Sequence, residues 1–151
     1  MNKLFHFILS LLILLTFQVS PVWGLESVFT NLWGQAIRGY DPVAYFKQGK
    51  AIEGQKKFQY EWKEAKWHFI SQQNRDDFIQ SPKSYAPQYG GYCAWAVSQG
   101  YTASIDPEAW DIHQGKLYLN YSKRIQKMWS KDISGNIQKG NKNWPKLLAE
   151  N

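Results

Sequence analysis

Apolar and polar positions change rhythm several times along this chain of 151 residues, and each change marks an element. Near the start, "LFHFILSLLILLTF" is apolar apart from His6, Ser10 and Thr16. Further on, "GYDPVAYFKQG" places Asp41 as a helix cap, Pro42 at the first helical position and Gly49 past the end. That punctuation predicts a short helix over about 42–48, with Val43, Tyr45 and Phe46 facing inward. "FQYEWKEAKWHFIS" then alternates, with Phe58, Tyr60 and Trp62 in one arm and Trp67 and Phe69 in the other. Alternation of this kind predicts a β-hairpin turning near Lys63–Ala65, and its pleat sends His68 to the face opposite the rings.

"SQQNRDDFIQSP" reads as a short helix capped by Ser71 and closed by Pro82, contributing Phe78 and Ile79 to the core. After it, Pro87 and Gly90-Gly91 force a turn, and "YCAWAVSQG" is expected to be helical from about Tyr92. "PEAW" reads as a helical turn opened by Asp106. "AWDIHQGKLYLNYS" is a second hairpin turning at Gln114-Gly115, with Trp110 and Ile112 on one face and Asp111 and His113 on the other. The last thirty residues carry Ile125, Met128 and Trp129 at helical spacing, and Pro145 is expected to open a final short turn. The pattern predicts an α+β fold: a small antiparallel sheet of two hairpins packed with short helices, followed by a helical C-terminal segment.

The leading apolar run changes the picture of where the chain works. Lys3, the apolar core and the Val22/Gly24 pair read together as an export signal cleaved after Gly24. Residues 25–151 then form a single domain, periplasmic or secreted, with no second run long enough to span a membrane. Cleavage removes Lys3 and no acid, so the formal charge falls from +6 to +5. Much of that excess lies in the tail, where Lys123, Arg124, Lys127, Lys131, Lys139, Lys142 and Lys146 face only Asp132 and Glu150. A solvated helix face accounts for it, and without a recognition motif nucleic-acid binding is excluded for an exported chain.

The chemistry available is sparse. The single cysteine, Cys93, cannot form an internal disulfide, and beyond the leader only His68 and His113 remain as imidazoles. Two readings of Cys93 stand: a small apolar side chain in a tight corner, or a ligand. In the second, Cys93 with His113 and His68 forms a soft site for copper or zinc, although no local spacing such as CxxC or HxxxH supports it. A thiol enzyme built from Cys93, His113 and Asp111 is the weakest case, because no nucleophile elbow or phosphate loop accompanies it. Binding rather than catalysis is the expectation. Seven rings, Tyr40, Tyr45, Tyr85, Tyr89, Tyr92, Trp95 and Trp110, fill a core or line a pocket for a planar or sugar-like ligand. Of these, Tyr85, Tyr89, Tyr92, Trp95 and Trp110 are the pocket candidates.

Three stretches, "GYDPVAYF", "WHFISQQNRDDFIQSPKSYAPQYGGYCAWAV" and "DPEAWDIHQGKLYLNYS", resemble the YHS-domain family, in particular its small exported single-domain members. They span about Gly39–Ser122. The resemblance implies a compact α+β domain and, because such domains accompany heavy-metal transport ATPases and oxygenase subunits, an association with metal. The metal-associated members carry cysteines where this chain has Ala44, Ile70 and Asn74. None of the three supplies a thiolate, so that site does not carry over. The alternative the resemblance leaves open is a module for a small molecule or protein partner, using a tyrosine- and tryptophan-rich surface.

Overall fold

The computed structural model describes residues 24–150, so the leader expected over residues 1–24 lies, but for Gly24, outside the described residues. The first helix, α1 (Pro42–Lys47), is held at its start by Asp41 Oδ1, which accepts from the N–H groups of Val43 and Ala44. Beyond its end Gly49 has φ +64°, the left-handed conformation that glycine adopts without a Cβ penalty. Val43 and Tyr45 are buried.

Strands β1 (Gln55–Trp62) and β2 (Ala65–Phe69) pair antiparallel around Lys63 and Glu64, both at positive φ. Two left-handed residues in a row match the right-handed twist of the arms. The rings of this hairpin converge on Phe78 of α2 (Gln72–Gln80): Trp62, Trp67 and Phe69 have ring centroids 5.0–5.9 Å apart from one another or from Phe78. Phe78 is fully buried, while Ile79, expected inside, is 42% exposed. The helix α3 (Pro82–Tyr85) follows at once.

Helix α4 (Ala94–Ser98) starts two residues later than the sequence suggests, so Cys93 is its N-cap and not part of its first turn. Strands β3 (Asp106–His113) and β4 (Lys116–Asn120) form the second hairpin, turning at Gln114 and Gly115, again both at positive φ. "PEAW" is therefore strand and not helix. Asp106 Oδ1 accepts from the Glu108 N–H, and a register shift between Asp106 and Trp110 leaves room for Pro107, which has no N–H to give a ladder.

The tail is α5 (Lys123–Trp129), a 3₁₀ turn over Ser130–Asp132, and α6 (Ile133–Ala149). Pro145 lies within α6 and opens no new turn. Trp144 beside it packs on Tyr89 and Tyr92, with ring centroids at 6.1 and 5.7 Å, so tertiary contact holds the helix across one missing N–H. The architecture is α+β, but its two hairpins form two separate two-stranded sheets, not one. No helix among the described residues is long and apolar enough to cross a membrane.

Candidate functional site

Cys93 is 1% exposed. Its Sγ lies 3.7 Å from Asn120 Oδ1, an oxygen that also accepts from the Trp95 N–H at 3.1 Å. Burial pushes the thiol above its ordinary range, outweighing the backbone N–H groups of Ala96, Tyr121 and Trp95 that favour the thiolate. Asn120 is fully buried, and its Nδ2 finds no partner among the described residues. The sulfur thus behaves as a small packed group tying the end of β4 to the start of α4. Iodoacetamide at pH 8 is expected to modify the native thiol more than about tenfold slower than the unfolded chain. Equal rates would reveal an accessible thiolate instead.

The imidazoles do not join it. His68 lies in β2, 5% exposed, with Nε2 3.1 Å from Gln59 Oε1; burial, and then the charge of Lys56, hold it below the ordinary histidine value. His113 closes β3 in the other sheet, opposite Lys116. Asp111, its neighbour on the strand, accepts from Gln126 Nε2 at 2.9 Å. Among the described residues no three His, Cys, Asp or Glu side chains gather to hold a metal ion. The expected Cys93–His68–His113 set forms no such group, and a shared sheet, which could have brought the histidines together, is not formed by the two hairpins.

Most of the candidate rings are packing. Tyr85 meets Phe46 edge-on at 5.6 Å, and Trp110 meets Tyr45 at 5.2 Å. Tyr92 lies against Phe29, and its hydroxyl donates to the Glu26 carbonyl at 3.0 Å. Trp95 borders a shallow apolar depression of about 220 Å³ with Tyr101 and Tyr121, reaching Cys93 below.

Tyr89 is different. It is 6% exposed, has φ 56°, and donates its hydroxyl to Asn141 Oδ1 at 3.0 Å. Gly140 of α6 makes that approach possible, since a Cβ there would meet the Tyr89 hydroxyl at 2.5 Å. Tyr89 lines a cleft of about 570 Å³ between the first hairpin, the turn of the second, the Pro87–Gly90 loop and α6. Trp62 and Trp144 supply further aromatic surface, and Lys63, Lys83 and Lys116 supply charge. Lys63 Nζ also lies 4.8 Å from the Trp62 ring centroid. No carboxylate lines the cleft, and none of its three lysines is in an ion pair among the described residues.

Sequence reasoning named Tyr89 but missed Trp62, Trp144 and the three lysines. Lys63 lies in one hairpin turn, Lys116 follows the other and Lys83 is the second residue of a four-residue helix, so nothing in their spacing announces convergence. Comparison with protein-family models, curated proteins and solved structures returns no match to this chain.

Proposed function

We propose that this chain is an exported binding module of the YHS type whose cleft takes an anionic small molecule with a planar or apolar body. The observation that carries the reading is the pairing of aromatic walls with three lysines that have no ion pair among the described residues, in a lining without an acid. Trp62, Tyr89 and Trp144 offer ring surface to a flat group, and the lysines offer point charge to carboxylate, sulfate or phosphate. The packed thiol and the separated histidines favour this over a copper or zinc site. The quoted family stretches support the YHS assignment, and the leader supports export.

The probe that tests it is 8-anilinonaphthalene-1-sulfonate, an anion with an aromatic body, titrated at low salt. Saturable binding to one site is expected, with quenching of tryptophan emission. Replacing Lys63, Lys83 and Lys116 together by glutamate is expected to weaken it at least tenfold while leaving the uncharged N-phenyl-1-naphthylamine little changed. Undiminished sulfonate binding by the glutamate variant would remove the anion-site reading.

A further inference from the structure

Beside β2, the chain displays two large apolar side chains on a built turn. Leu32 is 99% exposed and Trp33 72%. Asn31 constructs the turn that carries them. Its backbone carbonyl accepts from Gly34 N–H at 2.9 Å, and its Oδ1 accepts from the N–H groups of Trp33 and Gln35, both at 3.0 Å. Its Nδ2 donates to Gln35 Oε1 at 2.7 Å. The turn is also fastened to β2, because Lys66 N–H donates to the Gly34 carbonyl at 2.8 Å and Ala36 N–H to the Lys66 carbonyl at 3.0 Å. Leu32 and Trp33 are therefore held outward by backbone that is tied on both sides.

The surroundings are polar and cationic. Leu32 and Trp33 border a depression with Lys56, Lys66, Gln59 and His68, and no carboxylate lines it. Lys66 Nζ reaches the Trp33 carbonyl at 3.5 Å. Of the charges acting on His68, Lys56 and Lys66 oppose its protonation and Glu53 favours it.

We propose that the Leu32–Trp33 tip docks on an anionic lipid bilayer, the two side chains entering the headgroup region while Lys56 and Lys66 meet lipid phosphates. Tryptophan is favoured at that depth because its ring is apolar and its N–H remains wet. A protein partner is a poorer fit. A stable interface covers about 800 Å² on each side, and two residues on a turn ringed by lysine and glutamine offer a small fraction of that. A bilayer brings its own apolar phase and needs no shape match. Lys56 and Lys66, the latter paired across the strands with Glu61, complement its negative surface, each lysine near the surface being worth about a fivefold gain in partitioning. The proposal is independent of the cleft.

The test places an environment-sensitive acrylodan label on the chain through Leu32→Cys, with the same label at exposed Ser84→Cys as the control. Vesicles of phosphatidylglycerol and phosphatidylcholine in equal parts are expected to shift the emission at position 32 to the blue and leave that at 84 unchanged. Pure phosphatidylcholine should act at least tenfold more weakly. Adding Lys56→Glu and Lys66→Glu to the labelled chain should weaken partitioning to the mixed vesicles by a similar factor. An emission at position 32 that stays water-like while the chain floats with the vesicles would overturn the proposal. So would a blue shift that follows protein concentration without lipid and comes with a doubled mass, which would make a second copy the occupant.

Discussion

Replacement of Asp41 by alanine is expected to lower stability by about 3 kcal/mol, read as a fall of roughly 10 °C in the thermal midpoint. Asp41 is fully buried, and its two oxygens serve four donors. Oδ1 takes Val43 and Ala44 N–H at 2.8 and 3.2 Å; Oδ2 takes Ile70 N–H and Asn74 Nδ2, both at 2.8 Å. One side chain thus caps α1, ends β2 and anchors α2. Burial still holds the carboxyl above the ordinary carboxylate value, because four donors do not fully replace water around a charge. Loss of a cap alone costs about 1 kcal/mol, and the remainder comes from buried N–H groups left without acceptors. Asp41→Asn should recover little, since its amide group turns donors toward donors on the Oδ2 side. A midpoint within two or three degrees of wild type for Asp41→Ala would mean that water serves those donors and that the carboxylate is only a cap.

Gly90→Ala is the second substitution expected to act strongly. Gly90 has φ +60°, and a Cβ there would lie 2.0 Å from the Ser27 carbonyl oxygen, a backbone atom that cannot rotate away. Its own carbonyl accepts from Phe29 N–H at 2.9 Å, so the two segments are already in register contact. Overpacking of backbone on backbone, added to a left-handed alanine, should cost more than about 2 kcal/mol. Because Ser27, Val28, Tyr89 and Gly90 all border the cleft, the displaced segment should also weaken sulfonate-probe binding. Urea unfolding and the probe titration would be run on the same variant. Unchanged values in both would show that the 27–29 segment moves aside without consequence.

What the sequence made legible divides along a physical line. Local punctuation was readable: the cap at Asp41, the helix over 72–80 entered from Ser71, and the hairpin turns at Lys63-Glu64 and Gln114-Gly115 all stand as residue order suggests. Local rules failed where tertiary contact overrides propensity. Pro145 remains inside α6 because Trp144 is packed beside it, and "PEAW" extends because a bulge accommodates Pro107. The site was least legible of all. His68 and His113 each read correctly as strand residues, yet whether two hairpins share a sheet depends on long-range pairing that no window of sequence contains. The cleft suffers the same blindness, since Trp62, Lys83, Lys116 and Trp144 come from four distant elements.

The separation of the two hairpins has a mechanical side. Lys63 stands at the tip of one and Lys116 at the base of the other's turn, and among the described residues no ladder hydrogen bond joins the sheets that carry them. The gap between those ammonium groups is therefore set by side-chain repacking, which yields at far lower cost than a shared backbone ladder. Under the proposed reading of the cleft, guests of unequal width would meet the same pair of charges.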